Sequence, residues 1–570
     1  MTNEQFLQQF GHFIDAPNGI QKLREMILQL AVQGKLVPQN PSDESVDTLL
    51  EKVESERQML IQENVIKLGK KYPAISSHEI PYIIPGSWKW IRINEIGHSW
   101  GQKVPDCSFT YIDVSAINKE AGIIQEPKIL TAEEAPSRAR KIVKKGTVIY
   151  STVRPYLLNI AVIGEEFDPV AIASTAFAIV HPYCGISARY IYSYLRSPAF
   201  INYVESVQTG IAYPAINDKQ FFSGLIPLPP LSEQHRIVAK VDELMTLCDQ
   251  LESERNARKA THQRLIHAVH HPLTATGSDS AHNGIDNLPA WHRIRDNFAG
   301  LYTTLESVQA LRQTILQLAV QGRLVEQDPD DESASVLLKN IKTGVDCLTN
   351  NGDTQKRNKS RNSGSAKDLF PIPKAWEWVQ MSELLKFVTS GSRGWKEYYS
   401  DKGATFIRSQ DIKNDRLEFD NRAFVSLPKN VEGVRTRVHI GNVLITITGA
   451  NVAKAALIEN DTGEAYVSQH VALLKLLDNR LGPYIHRWLI NELGGRRMLL
   501  ESSYGAKPGL NLKNIKELPI PLPPLTEQHR IVAKVDQLMA LCDQLEANIR
   551  NNNSTAARYA EAVVNRISAA

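Results

Sequence analysis

The stretch EQHRIVAKVDELMTLCDQLE from Glu233 to Glu252 returns as EQHRIVAKVDQLMALCDQLE from Glu527 to Glu546, with only Glu243/Gln537 and Thr246/Ala540 differing. In the first copy Ile237, Val241, Leu244, Cys248 and Leu251 recur at alternating steps of four and three, as do Ile531, Val535, Leu538, Cys542, Leu545 and Ile549 in the second. That spacing predicts a coiled-coil seam on a long helix. Val238, Met245 and Leu247 widen the apolar face, so each helix is expected to pack against more than one neighbour. The first is expected to run to about His267, roughly 36 residues or about 50 Å.

Working outward, each copy follows a proline-rich phrase, SGLIPLPPLSEQHRI from Ser223 and KELPIPLPPLTEQHRI from Lys516. PLPPL is expected to leave a domain as a stiff extended segment that continues no strand. Ser232 and Thr526 then stand as helix N-caps, with Glu233 and Glu527 favouring the positive helix end. A second repeated element lies upstream, LREMILQLAVQGKLV from Leu23 and LRQTILQLAVQGRLV from Leu311. Both read as helices stopped by Gly34 and Gly322, and the alignment also superposes Phe10 on Phe298. The chain is thus one two-part unit written twice, which predicts an internal pseudo-twofold repeat.

Between the repeated elements lie two inserts that share a plan more than a sequence. Each opens on a tryptophan pair, IPGSWKWIRINEIG at Ile84 and IPKAWEWVQMSELL at Ile372, which suits a first strand. Each later carries a Gly-led pair of β runs, GTVIYSTVRPYLLNIAVIG from Gly146 and GNVLITITGANVAKAALIE from Gly441. Residues 274–289 and 349–367 are polar linkers. Trp291 to Gln321 reads as a further long helix that returns antiparallel along the first.

A chain of 570 residues exceeds one core. Its net charge of +3 neither demands nor excludes a polyanion. The five cysteines form no CxxC pair, which argues against a zinc site or a disulfide framework. Without a signal-peptide core or a long apolar run, a soluble cytoplasmic protein is expected, with no membrane partner. Phosphate loops, HExxH and the Asn/Asp-Pro-Pro-aromatic element of amino-methyltransferases are absent from the sequence. No catalytic residue, metal site or cofactor is therefore assigned to this chain. His235 and His529 read as capping or solvent-facing residues, Cys248 and Cys542 as buried hydrophobes, and the acidic run at Asp328 as a solvated turn.

The positive signal is basic residues interleaved with aromatics inside the inserts. In the first, Arg138, Arg140, Lys141, Lys144 and Lys145 crowd ahead of a β run, and Arg154 and Tyr156 occupy the following turn. In the second, Arg393, Lys396, Arg408, Lys413, Arg435, Arg437 and Lys454 are spread comparably, near Trp395 and Tyr398. Lys and Arg neutralise phosphates, and Arg also reads base edges. Double-stranded DNA is the expected partner. A symmetric scaffold that binds proteins instead, or a nuclease using scattered carboxylates, are the rival classes.

The order LRxxILQLAVQGxLV, Trp-pair insert, PLPPLxEQHRIVAKVDxLMxLCDQLE, and then the same again, resembles the specificity subunit of type I restriction-modification enzymes over nearly the whole chain. The resemblance implies an α+β or α/β fold with two mixed α/β target recognition domains separated by long antiparallel coiled-coil helices. Its expected segments are helical 1–77, recognition domain 78–226, central helical spacer 227–368, recognition domain 369–520 and C-terminal spacer helix 521–570. It further implies that each domain reads half of a bipartite target, and that Ile237, Val241, Leu244, Leu251, Ile531, Val535, Leu538 and Leu545 serve spacing and partner docking. Two methyltransferase subunits carrying S-adenosylmethionine, and two motor-nuclease subunits using ATP and Mg²⁺, are the implied protein partners. The repeated AVQG helices at both Leu23 and Leu311 allow the N-terminal helix to close a circular arrangement with the C-terminal one.

Overall fold

A computed structural model describes residues 16–67, 72–210, 212–275, 284–349, 370–391, 394–428, 433–505 and 508–569. The chain divides into two compact units, Met1–Arg258 with Asn552–Ala570, and Lys259–Asn551. Two helices cross that division: Leu231–Thr274, with 44 residues, and Leu525–Ala569, with 45. At 1.5 Å per residue each is about 66 Å long. The first exceeds its expected end at His267 and stops just beyond Pro272, which the last turn accommodates.

In the first unit the strands Lys128–Leu130, Phe109–Ile112, Ala171–Ser174 and Ala139–Ile142 form one sheet in that spatial order. Gly97–His98, Phe177–Pro182, Val148–Ser151 and Ile160–Val162 form a second. The second unit repeats the plan with Tyr399–Ser400, Ala423–Val425, Ala404–Ile407 and Ala465–Val467, and with Leu385–Ser390, Val471–Leu476, Val443–Thr446 and Ala455–Leu457. One parallel pair recurs in each, Ala171–Ser174 on Phe109–Ile112 and Ala404–Ile407 on Ala465–Val467. Inserts with little common sequence therefore share the order of the second sheet and the three strands around the parallel pair, while the remaining edge strand is Ala139–Ile142 beside Ala171–Ser174 in one insert and Tyr399–Ser400 beside Ala423–Val425 in the other.

The proline phrases depart from expectation. Leu225–Leu228 and Pro519–Leu522 are strands, paired antiparallel with Lys89–Arg92 and Glu377–Gln380. Both sheets have two strands, so every strand is an edge and the missing N–H of Pro227 or Pro521 leaves no ladder bond unmade. The long helices begin at Leu231 and Leu525, one residue before the expected caps. The amide of Gln234 already donates to the Pro230 carbonyl at 2.9 Å, and that of Gln528 to Pro524 at 2.9 Å. Ser232 and Thr526 therefore lie inside the first turn.

Glu233 and Glu527 do more than complement a helix end. The Trp88 indole donates to Glu233 Oε2 at 2.9 Å, and that of Trp376 to Glu527 Oε2 at 2.8 Å. Gln39 and Gln327 donate to the other carboxylate oxygens, each at 2.5 Å. Gly34 and Gly322, at φ 70° and 68°, let the AVQG helices turn directly beneath Pro85 with Trp88, and Pro373 with Trp376. Arg236 with Asp43, and Arg530 with Asp331, complete each junction at 2.8 and 2.7 Å. One buried carboxylate thus ties the AVQG segment, the first strand and the long helix together. Burial raises the Glu233 carboxyl above its ordinary value and pushes that of Glu527 up to about 7, against the opposing effect of the indole hydrogen bonds.

The segment expected as one long helix from Trp291 to Gln321 is broken into Pro289–Asp296, Phe298–Leu301 and Leu305–Val320, the last capped by Thr304. The two short helices make the antiparallel return, with His262 bonded to the Leu301 carbonyl. Leu305–Val320 then runs parallel to the end of the long helix: Lys259 meets Glu306, His270 meets Thr314, and Gln321 meets the Thr274 carbonyl. Phe10, the expected start of the repeat, lies outside the described residues.

Ile237, Val241, Leu244, Cys248 and Leu251 are buried in the first unit's core, with Ala560 from the end of the second long helix. Ile531, Val535 and Cys542 are buried in the second unit's core, with Leu538 and Leu545 packed against it. Burial pushes both thiols up to about 11, as suits small hydrophobes. Seam side chains enclosed this way hold the chain's own core. None of the helices among the described residues is long and apolar enough to cross a membrane.

Candidate nucleic-acid interface

The basic residues of the first insert fall at two ends of the strand Ala139–Ile142. At one end, the Arg138 carbonyl accepts from Thr175 at 2.8 Å while Thr152 donates to Ala176 at 2.8 Å, so Arg138 and the turn after Ser151 flank one reversal of the chain. Arg154 and Tyr156 are exposed on that turn. Arg154 adopts a left-handed conformation, φ 49°, and Leu158 another, φ 52°, which a non-glycine residue holds only where its surroundings impose it. The Arg154 guanidinium stacks 4.9 Å from the Tyr213 ring centroid.

At the other end, Lys144 lies 3.7 Å over the Trp100 ring, beside His98 and His181. Burial, with His98 and Lys144 as neighbouring positive groups, pushes His181 down to about 4. Lys145 is exposed there, and Arg140 is half-buried, bonded to the Ala139 carbonyl at 2.7 Å. Lys141 is buried, donating to the Phe177 carbonyl at 2.6 Å and to Asp218 at 3.2 Å, so its charge serves the fold.

The second insert divides similarly. Arg408 is engaged within the fold: it chelates the buried Asp411 at 3.0 and 2.9 Å and donates to the Asn421 carbonyl at 2.5 Å. Lys413 is ion-paired with Asp420. Lys396 is exposed on a short helical turn whose Trp395 is buried. Lys454 follows the turn after Thr446, and Asn451 of that turn donates to the Ser409 carbonyl at 3.3 Å. Arg435 and Arg437 are exposed beside Lys475, whose ammonium donates to the Val434 carbonyl at 3.3 Å. Burial with Lys386 and Arg437 as like-charged neighbours lowers Lys475 from its ordinary value. Arg393 lies outside the described residues. His235 and His529 are exposed, as expected of helix-surface residues.

Sequence reasoning missed the segments that brace the two turns. Arg154 donates its amide to Pro214 at 2.8 Å, and Ile216 donates to Thr152 at 2.9 Å. Gly449 donates to Pro508 at 3.2 Å, and Leu510 to Ile447 at 2.8 Å, at the matching positions. The signal was present as Pro214-Ala-Ile-Asn217 and Pro508-Gly-Leu-Asn511, where each Asn then caps a short helix. Among the described residues no group of His, Cys, Asp and Glu has the arrangement of a metal site.

The model of the type I restriction modification DNA specificity domain matches this chain twice, at residues 85–258 and 373–552. The chain is 30% identical over 569 residues to the type I restriction enzyme EcoAI specificity subunit of Escherichia coli, covering 96% of this chain and 93% of that one. It is likewise 30% identical over 572 residues to the EcoEI specificity subunit of Escherichia coli, at the same coverages of 96% and 93%. A solved chain from work titled "Structural basis underlying complex assembly and conformational transition of the type I R-M system" shares the fold. It aligns with a TM-score of 0.53 at 23% identity, covering 86% of this chain and 99% of that chain.

Proposed function

We propose a role that starts from family membership: the chain belongs to the type I restriction-modification DNA specificity subunits, and its task is to select the DNA on which such a system acts. The observation that carries this is the double match of one specificity domain to two inserts that share the strand order of one sheet and a parallel pair in the other, with different exposed residues. In this reading residues 78–226 and 369–520 are target recognition domains, each reading half of a bipartite sequence. Residues 1–77, 227–368 and 521–570 form the spacer, an antiparallel coiled-coil frame with pseudo-twofold symmetry. Two methyltransferase subunits dock on the exposed faces of the repeated helices, and two motor-nuclease subunits join them in the cytoplasm.

The chain itself is noncatalytic in this reading. S-adenosylmethionine, ATP and Mg²⁺ belong to the partner subunits, and adenine N6 methylation is the chemistry it directs. Exposed Arg138, Lys144, Lys145, Arg154, Lys396, Arg435 and Arg437, with Tyr156 and half-buried Arg140, Lys413 and Lys454, form the cationic surface for DNA. Arg408 supports that surface through Asp411. Mapping N6-methyladenine across the genome of cells with and without this chain tests the role. A bipartite motif should lose methylation when the chain is deleted; an unchanged methylation map, or DNA affinity that does not fall with salt, refutes it.

A further inference from the structure

We propose that in each recognition domain the turn and the proline-bearing segment latched to it form a single DNA-reading element, with Arg154 and Tyr213 serving the first domain and Tyr504 the second. This rests on the DNA-selecting role above and assigns it to particular side chains. The latch is the same in both domains, bond for bond. Thr209 and Ala215 exchange backbone hydrogen bonds at 2.9 Å each, and Tyr504 and Gly509 do so at 3.0 and 3.1 Å. With the Arg154–Pro214 and Gly449–Pro508 bonds, this fixes two otherwise free loops to the end of a central strand.

What the latch displays is unusual for a free surface. Tyr213 is 70% exposed, Tyr156 55%, Val153 43% and Leu157 38%, all around the Arg154 turn, and Tyr504 is 59% exposed in the second domain. Large apolar groups gathered at one rigid tip mark a contact surface. The Tyr213 ring beneath the guanidinium restricts Arg154 before any ligand arrives, leaving its N–H fork available for the planar, paired acceptors O6 and N7 of guanine. At the matching position the second domain has Gly449, with Thr448 hydrogen-bonded to His470 at 2.5 Å. One scaffold therefore presents different chemistry in the two domains, as reading two different half-sites requires. The left-handed Arg154, Leu158 and Ala453 show backbone held against its local preference at these tips.

The test uses the chain assembled with its methyltransferase subunits, and measures methylation of target duplexes carrying single base changes in either half. Tyr213→Ala and Arg154→Ala should each reduce discrimination at a guanine of the first half-site by roughly tenfold to a hundredfold, leaving the second half-site intact. Tyr504→Ala should do the reverse. Tyr213→Phe, which keeps the ring under Arg154, should retain most of the discrimination. Intact reading of the other half-site shows that each variant is folded and assembled. If the wild-type complex discriminates but these variants do so equally well at every position, the assignment is overturned while the DNA role stands. Loss of methyltransferase-subunit binding by Tyr213→Ala, with discrimination intact in what assembles, makes the tip a protein contact and overturns it too. A wild-type complex without any target discrimination overturns the underlying role itself.

Discussion

The Glu527 carboxyl offers a sharp test of how the junction is held together, because its protonation is tied to folding. Burial is the largest influence on it, and it pushes the group from an ordinary 4.5 to about 7. The folded chain therefore binds this proton more tightly than the unfolded chain. Its contribution to stability is greatest below the unfolded value and declines as pH rises toward and through the folded one. The full change is about 3 kcal/mol between pH 4.5 and pH 8, at roughly 1.4 kcal/mol per pH interval. Buried histidines run the other way: His270 and His486 are pushed down to about 4 by burial, so they favour the folded state as pH rises from 4 toward their ordinary value. A bare pH profile mixes the two, and a difference against Glu527→Gln removes the histidines. The amide carbonyl keeps an acceptor for Trp376 without a titrating proton. The variant should match wild type near pH 4, below the unfolded value, and be more stable by about 3 kcal/mol at pH 8. Urea unfolding of the full chain at both pH values reads this, with hydrogen exchange of residues 376–380 and 519–531 locating it. A wild-type-minus-variant difference that stays constant with pH, or shrinks toward pH 8, refutes the argument.

Two further outcomes follow from the same architecture. Gly34→Ala and Gly322→Ala each place a Cβ 2.4 Å from a proline Cγ at a left-handed position, so each should destabilise by about 2–4 kcal/mol; a loss under about 0.5 kcal/mol by thermal or urea unfolding contradicts the close approach. Four residues inserted between Ser253 and Arg258 lengthen the first long helix by about one turn before Lys259, His262 and His270 make their contacts. Methylation mapping should then show a changed gap between unchanged half-sites, and altered half-sites would speak against the spacer reading.

The frame was legible where the sequence repeats itself. Ile237 and Ile531 are buried where the alternating steps place them, and Gly34 and Gly322 stop their helices at positive φ. What stayed hidden depended on partners distant in the chain. Nothing local to Glu233 announces an indole 145 positions away, so it read as a helix-end charge. Arg408 looked like any exposed cation until Asp411 closed on it. Periodicity carried a single helix through Asn297 and Thr304, although Thr304 offered its hydroxyl as a cap and began a new helix there. In the candidate interface, charge was visible as composition, whereas the latch around Pro214 and Pro508 is made of backbone bonds whose only sequence trace is the shared Pro-x-apolar-Asn order at Pro214 and Pro508.

The end of the second long helix places Ala560 in a core otherwise built from residues 16–251, flanked by Ala556, Val563 and Val564. During synthesis the first unit must therefore wait for a segment made after residues 259–551 before its apolar surface is fully covered, whereas Lys259–Asn551 contains all its own parts sooner. The usual order, in which the N-terminal part folds first, is inverted for completion. A ribosome stalled before residue 552 holds a first unit whose seam at Ala560 is still open.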